Sequence, residues 1–159
     1  MNRQIPEPLS AGVIIRQLTA PEADWLALRC ALWPQCAAAE HASEIAAAAA
    51  EPEKYAQFMA CAGTQPLGLA EAAVRHDYVN GAQTSPLVFL EGIYVVPSAR
   101  RRGIAAQLIA AVSAWAAAAG YRELASDAQL ENLASHALHD ALGFEATERV
   151  VFFRKALRL

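Results

Sequence analysis

The sequence predicts one domain of the α/β class, of the α+β type, with a mixed but mostly antiparallel sheet and flanking helices. The 159 residues are enough for one self-sufficient core. Three apolar stretches follow one another in mid-chain, separated by the turn signals Gly63 to Pro66 and Asn80-Gly81, which is typical of an antiparallel meander. The alanine-rich run after Gly103 is typical of a helix, and a helix between two strands makes their connection a parallel crossover.

The expected order of elements is β-α-α-β-β-β-α-β-α-β. The first strand, over 13–17, precedes a helix over 20–32, and Thr19 and Glu22 have the spacing of a capping box. Alanine favours a second helix over 40–50 by propensity. The remaining expected elements are strands over 57–62, 67–78 and 87–96, a helix over 106–119, a strand over 123–126, a helix over 131–142 and a last strand over 145–154. Residues 1–12 are expected to form a frayed lead-in to this single domain of 1–159.

Composition and charge exclude several classes of protein. The formal net charge of −3 argues against general nucleic-acid binding. No apolar run has the length of a bilayer span, and the N-terminus has no apolar core of a secretory signal. The three cysteines are odd in number and form no C-x-x-C pair, which argues against a disulfide framework and a thiolate metal site. We therefore expect a cytoplasmic protein without a metal ion, a nucleic-acid partner or a membrane partner.

Residues 100–105 read R-R-R-G-I-A and lie between a predicted strand and a predicted helix. Three cations at the positive end of a helix dipole are unfavourable unless an anion is bound there. Backbone amides at a helix N-terminus are ready donors for phosphate oxygens. Gly103 lets the main chain approach such a ligand closely, and Ala105 is small for the same reason. The segment therefore predicts a phosphate-binding loop.

This loop, preceded by Ile93-x-Val95-x-Pro97, resembles the pyrophosphate-binding segment of the GCN5-related N-acetyltransferases (GNAT). The resemblance extends from Val13 to the C-terminus and implies a GNAT fold with a splayed central pair of strands. It implies acetyl-CoA as co-substrate, with the Ile93 amide meeting the acetyl carbonyl and the Val95 amide meeting the pantetheine. The pyrophosphate-binding residues that it implies are Arg100, Arg101, Arg102, Gly103, Ile104 and Ala105.

A second segment, from Asn132 to Phe144, resembles the GNAT helix with the pattern N-x-x-A-x-x-x-Y-x-x-x-G-F. The resemblance implies that Asn132 hydrogen-bonds the pantetheine. The tyrosine that would protonate the departing thiolate is His139 here. An imidazole titrates near neutral pH and can donate that proton, or the thiolate leaves without a proton from the protein.

Longer stretches resemble one branch, the aminoglycoside 6'-N-acetyltransferases. They are Trp33-Pro34 and residues 74–81, 85–94, 123–127 and 143–151. The branch implies direct attack by a neutral 6'-amine on the thioester in a ternary complex. It also implies a homodimer in which C-terminal strands associate and Glu148 lies near a shared site. The apolar segment from Val150 to Phe153 is compatible with such an interface and equally with a core strand.

The residue types near the predicted site agree with a polycationic sugar as acceptor. Carboxylates bind ammonium groups, and flat aromatic side chains pack against sugar faces. A carboxylate can also accept the proton that the acceptor ammonium loses, and Asp127 or Glu91 is expected to be this base. Glu91 precedes Ile93 by two residues, which predicts that both side chains project from the same strand face. The substrate-binding candidates are Trp33, Asp77, Tyr78, Glu91, Asp127 and Glu148.

Two alternatives remain open from the sequence. A polyamine or a protein amine is also cationic, so an acidic cleft alone does not distinguish it from an aminoglycoside. A non-catalytic acyl-CoA-binding GNAT domain predicts loss of the phosphate loop or of the acidic acceptor lining, and both sets of residues are present.

Overall fold

The architecture is a five-stranded sheet covered by helices on both faces, seen in a computed structural model that describes residues 12–157. The strands lie in chain order across the sheet, antiparallel from β1 to β4 and parallel between β4 and β5. The strands are β1 Val13–Gln17, β2 Tyr55–Ala62, β3 Gln65–Arg75, β4 Leu87–Val95 and β5 Leu124–Ala125. The helices are α1 Ala23–Leu32, α2 Ala38–Ala50, α3 Ile104–Ala118 and α4 Leu133–Ala141, with a short 3-10 turn at Pro97–Ala99.

Two apolar cores lie on opposite faces of this sheet. Nearly every residue of β3 is buried, so this central strand is apolar on both faces. On one face α3 packs Ile104, Leu108 and Val112 against the strands. The other face is covered by Trp25 and Leu28 of α1 and Ile45 of α2. The alanine-rich α2 is thereby docked through a few larger side chains.

The predicted elements are confirmed except at the C-terminus, with bounds that differ by at most three residues. The predicted strand over 145–154 is wrong, because no part of this segment is in a strand. Its residues Val150 to Phe153 are exposed, with Phe153 at 93%. A strand requires a neighbour for its backbone hydrogen bonds, and no edge among residues 12–157 pairs with this segment.

The predicted capping box at Thr19 and Glu22 is also wrong. Helix α1 begins at Ala23, and no side chain caps its first amides. The carboxylate of Glu22 instead binds the guanidinium of Arg16 on β1, at 2.8 Å. This charged partner lowers the pKa of Glu22 below its ordinary value. The predicted lead-in over 1–12 lies outside the described residues, apart from Gly12.

Candidate active site

The site is organised by the parting of β4 and β5. These strands pair only at Val88 with Leu124 and at Phe89 with Ala125. Strand β4 then continues from Leu90 to Val95 with no strand partner on that side among the described residues. The backbone amides on the open side of β4 are therefore available to bind a ligand.

A β-bulge in β4 changes which groups face the opening. The pairing of β3 with β4 shifts between Glu71 opposite Gly92 and Ala72 opposite Leu90, so Glu91 is the extra residue. Before the bulge, the amide of Val88 donates to Glu123 of the β5 side, at 3.2 Å. Successive backbone amides of a strand point to alternate sides, so one inserted residue reverses which amides of β4 face β3 beyond the bulge.

The alternation places the predicted cofactor amides on the open side. The amide of Val96 donates to the carbonyl of Leu67 at 2.9 Å, so it faces β3. Because backbone groups alternate along a strand, the amides of Val95 and Ile93 face away from β3. This orientation is the one that their predicted roles need. Their side chains pack against the core under α3, so only the backbone can face a ligand.

The predicted phosphate loop joins the end of β4 to α3. Gly103 has φ of 75°, in the left-handed region, and is the residue before the helix. Arg101 also has positive φ, at 61°. Since Ile104 is buried in the core, it offers a ligand its amide and not its side chain. The first amides of this 15-residue helix and the exposed Arg101 and Arg102 fit a bound pyrophosphate.

The side chain of Arg100 is placed differently from those of Arg101 and Arg102. Its Nε donates to the carbonyl oxygen of Val95 at 2.9 Å, and its guanidinium lies 5.9 Å from the ring centre of Tyr94. The side chain therefore turns back along β4 and stabilises the entry to the loop. Its binding to pyrophosphate stays a prediction.

The expectation that Glu91 and Ile93 share a strand face is wrong, because the bulge lies between them. Ile93 packs with the core under α3, whereas Glu91 binds Arg75 on the other side. Arg75 donates to both oxygens of Glu91 from Nη2, at 2.9 Å each. Its guanidinium also lies over the ring of Phe89, at 3.7 Å. The carboxylate of Glu91 is thus held in place by a fork of donors.

Trp33 lies directly beside the bulge. A Cβ added to Gly92 would approach the Trp33 ring to 2.6 Å, so only glycine permits this packing. The ring is held from two other directions, by the guanidinium of Arg29 at 5.0 Å and by the stacked imidazole of His41 at 6.4 Å. Nε2 of His41 also lies 3.0 Å from the carbonyl oxygen of Trp33. The contact of Trp33 with substrate stays a prediction.

The buried carboxylate of Glu71 anchors α1 beneath this region. It accepts from Nε1 of Trp25 at 2.6 Å and from Nε of Arg29 at 3.1 Å. Burial raises the pKa of Glu71, and the hydrogen bond from Trp25 and the charge of Arg29 oppose that rise. Arg29 binds Glu44 of α2 as well, at 2.6 Å. The same cation therefore ties together α1, α2 and β3.

The loop between β3 and β4 carries the exposed Asp77 and Tyr78. Its far end is held by Glu123, whose carboxylate accepts from the amides of Gln83 at 3.0 Å and Thr84 at 3.3 Å. On its near side, the side chain of Thr147 packs against Gly81 so closely that no Cβ would fit. The loop is thus fixed at two points while its two candidate side chains stay accessible.

Helix α4 faces the opening from the far side of β5. Asn132 caps this helix, and its Oδ1 accepts from the amide of Ser135 at 3.1 Å. Its side-chain NH2 keeps both donors for the predicted bond to pantetheine. His139 lies about two helical turns further on, and its Nε2 reaches Oγ of Ser126, just after β5, at 2.8 Å. Asp127 is exposed beside Ser126, and Glu148 is exposed in the C-terminal segment.

Sequence reasoning missed several residues that position this site, among them Arg75, Gly92, Glu123 and Ser126. Gly92 carried a usable signal, because a glycine inside an apolar strand often marks a bulge. The other three are polar residues whose partners are distant in the chain. Among the described residues, no cluster of three or more histidine, cysteine, aspartate or glutamate side chains could hold a metal ion.

Comparison with known proteins agrees with this geometry. The model of the acetyltransferase (GNAT) family matches residues 18–144. The chain belongs to the GNAT family. A GNAT fold also accounts for the parting of β4 and β5 and for the loop before α3, which the resemblance implied.

Two GNAT proteins with sequences similar to this chain share one name. The aminoglycoside N(6')-acetyltransferase type 1 of Salmonella typhimurium strain LT2 is 49% identical over 142 residues, 89% of this chain and 97% of that protein. The protein of the same name from Stenotrophomonas maltophilia is 47% identical over 151 residues, 94% of this chain and 97% of that protein.

Solved structures of GNAT proteins resemble the whole domain. AAC(6')-Iy in complex with the bisubstrate analogue CoA-S-monomethyl-acetylneamine has a TM-score of 0.87 and 46% identity, covering 92% of this chain and all of that chain. AAC(6')-Ih from Acinetobacter baumannii has a TM-score of 0.85 and 44% identity, with the same coverage. No helix among residues 12–157 has the length and apolar character to cross a membrane.

Proposed function

We propose that this protein transfers the acetyl group of acetyl-CoA to the 6'-amine of aminoglycosides, by direct attack in a ternary complex. The observation that carries the proposal is the similarity, over 92% of this chain, to a structure that holds a CoA-acetylneamine bisubstrate analogue. Relatives at 47–49% identity that are named aminoglycoside N(6')-acetyltransferases support it. The opening beside β4 supplies the matching geometry.

The main chain of β4 and the start of α3 would hold acetyl-CoA. The amides of Ile93 and Val95 are fixed by the sheet before any ligand binds, so they need no reorganisation to stabilise a developing oxyanion. The amides from Gly103 to Ala105, with Arg101 and Arg102, would neutralise the pyrophosphate. Asn132 would add a side-chain donor to the pantetheine.

Carboxylates and aromatic rings around the same opening would hold the acceptor. Asp77 and Tyr78 lie on the anchored loop, Trp33 packs beside Gly92 at the bulge that contains Glu91, and Asp127 lies two residues after β5. The base that accepts the amine proton is Asp127 or Glu91. Arg75 engages both oxygens of Glu91, whereas no described residue hydrogen-bonds the carboxylate of Asp127. Substitutions Asp127→Asn and Glu91→Gln would separate these two, since loss of the base lowers kcat about 100-fold or more.

The acceptor is tested by measuring thiol release from acetyl-CoA with kanamycin, tobramycin or spermidine. An aminoglycoside with a 6'-hydroxyl in place of the 6'-amine is the matched control. We expect saturable turnover with the 6'-amino compounds only. Turnover with spermidine alone would indicate a polyamine acetyltransferase, and tight acetyl-CoA binding without any turnover would indicate a non-catalytic GNAT domain.

We further propose that the C-terminal segment forms a homodimer interface near Glu148. Four consecutive apolar residues, Val150 to Phe153, are exposed and unpaired within the described chain. A second copy would bury these side chains and give the segment a strand partner. Light scattering on the Phe152→Ser, Phe153→Ser variant should report a monomer. Ile14→Ser, at an exposed apolar residue of β1, should stay dimeric, and dissociation of that control instead would place the interface at β1.

The proposed activity also gives a biological role, resistance to aminoglycosides in the cytoplasm, where acetyl-CoA is available. The three cysteines are all free thiols, which agrees with a reducing compartment. A susceptible bacterial host expressing the protein should tolerate kanamycin better than one expressing the Asp127→Asn, Glu91→Gln variant. Equal tolerance of the two hosts would reject the resistance role.

A further inference from the structure

Ser126 stands where the two central strands separate. It is the first residue after β5, whose last residue, Ala125, pairs with Phe89. On this side β4 has no strand partner among residues 12–157 beyond that pair, so Ser126 lies at the base of the opening. It is half-buried and therefore sheltered from bulk water without being removed from the cleft.

The imidazole of His139 is held at both nitrogens. Nδ1 lies 2.7 Å from the carbonyl oxygen of Ser135, and Nε2 lies 2.8 Å from Oγ of Ser126. A carbonyl oxygen only accepts, so this short contact requires a hydrogen on Nδ1, and the more distant Oγ of Ser135, at 3.3 Å, is then a second acceptor. The rings of Phe144 and His139 form a T-shaped pair, with ring centres 5.1 Å apart, which restricts the plane of the imidazole. The ring therefore cannot reach a substrate directly without leaving these partners.

The direction of the Ser126 hydroxyl follows the protonation state of His139. When the imidazole is neutral, Nε2 is an acceptor and the hydroxyl of Ser126 donates to it. When the imidazole is a cation, Nε2–H donates to Oγ, and the hydroxyl hydrogen of Ser126 is free to point elsewhere. A proton that leaves Nε2 must consequently pass through Oγ of Ser126.

We propose that Ser126 is a catalytic residue that protonates the departing sulfur, with His139 acting through it as the proton source. The inference rests on the proposed acetyl transfer. As the C–S bond of the tetrahedral adduct breaks, sulfur takes the hydroxyl proton of Ser126, and Oγ takes the Nε2 proton of the His139 cation. The imidazole, now neutral, regains a proton from solvent, and the proton lost by the attacking amine returns to solvent through Asp127 or Glu91, so the reaction balances.

No charged group among the described residues competes for this relay. Asp127 beside Ser126 and Asp140 beside His139 are exposed, and neither makes a hydrogen bond to the imidazole. Nε2 of His136, on the same helix, lies 3.0 Å from the carbonyl oxygen of Gln129. Glu91 on β4 is held by Arg75. The imidazole contacts are Ser126, Ser135 and Phe144, all uncharged.

The relay is tested by steady-state kinetics of Ser126→Ala, Ser126→Thr and His139→Gln with acetyl-CoA and kanamycin. We expect Ser126→Ala to lower kcat about 100-fold while the KM of each substrate stays unchanged, because only the proton transfer is lost. Ser126→Thr, which keeps the hydroxyl, should recover most of kcat. His139→Gln should match Ser126→Ala, and the double variant should be no worse than either, since the two groups act as one unit.

Ser113→Ala, on the exposed face of α3, is the matched control and should keep wild-type kcat. A kcat for Ser126→Ala within twofold of wild type would overturn the proposal, as would additive losses in the double variant. The imidazole 15N resonances of His139 supply a readout that needs no acceptor. They should identify hydrogen at Nδ1 and change at Nε2 when Ser126 becomes alanine, and an unchanged Nε2 resonance would overturn the pairing. Failure of the wild-type enzyme to acetylate any aminoglycoside would reject the proposed function, whereas these resonances would still decide the pairing.

Discussion

The two ends of the chain contribute differently to the molecule. From Leu18 to Ala116 the chain buries side chains on both faces of the sheet, including Trp25, Leu69 and Leu108. None of residues 119–157 is fully buried, although this part contains β5 and α4. The first region therefore supplies the fully buried core, together with the open side of β4 and the loop before α3. The second supplies the Ser126–His139 contact, the exposed Asp127 and the exposed apolar C-terminal segment.

The largest expected effect is on stability, from removing a core leucine of the first region. Leu108 of α3 is fully buried, so Leu108→Ala should lower the free energy of unfolding by about 4 kcal/mol. Leu133 of α4 is 73% exposed, and Leu133→Ala should change it by less than about 0.5 kcal/mol. Urea unfolding measures both, and similar losses would contradict the division between the two regions.

A smaller loss is expected from a buried ion pair than from an apolar core residue. Glu71→Ala would leave Nε1 of Trp25 without its acceptor and Arg29 without one of its carboxylates, at a cost of about 3 kcal/mol. The matched control is Glu91→Ala on the neighbouring strand, whose partner Arg75 and carboxylate are each about one-third exposed. That pair should contribute less than about 1 kcal/mol. Equal losses in urea unfolding would indicate that burial does not separate the two pairs.

One methyl group added at Gly92 should disturb the packing at the bulge. Gly92→Ala would force the rings of Trp33 and the side chain of Leu32 to move, because the added Cβ would lie 2.6–2.8 Å from them. We expect a loss of about 2 kcal/mol and a raised KM for the aminoglycoside, since Trp33 would shift. The control is Gly12→Ala, where a Cβ meets nothing within 4 Å. An unchanged KM in Gly92→Ala would remove Trp33 from the acceptor site.

The fold and the strand–loop–helix order around the predicted phosphate loop could be predicted from the sequence because their signals are local. A strand, a glycine-containing basic loop and an alanine-rich helix follow one another over residues 87–118, and the structure keeps that order. The placement of Glu91 could not be predicted in this way, because a bulge is a property of two paired strands. The Ser126–His139 contact joins a loop to a helix 13 residues away, and no local pattern signals it.

The C-terminal segment shows the same limit, because here a local pattern predicts a strand that the structure does not have. Residues 145–154 have the apolar, β-branched and aromatic content of a strand, yet propensity describes only how a segment fits a sheet once a neighbour is present. The described chain offers no such neighbour. A strand-like pattern therefore predicts a strand only where the fold also offers an edge that can pair with it.

The smallest expected effect is a pH dependence of opposite sign for two carboxylates in the first region. Burial raises the pKa of Glu71 above 4.5, so the folded state keeps a proton that the unfolded chain loses. Its contribution to stability should fall as pH rises from 4.5 through the raised native pKa. Glu22 is the reverse case, because its bond with Arg16 lowers its pKa and its contribution should be lost as pH falls below 4.5. Urea unfolding between pH 3.5 and about 7 measures the difference in free energy of unfolding between wild type and each of Glu71→Gln and Glu22→Gln. These two differences should change with pH in opposite directions, each by less than about 1.4 kcal/mol per pH unit. Slopes of the same sign would mean that Arg29 outweighs burial at Glu71, and the α1 anchor would then behave as an ordinary surface ion pair.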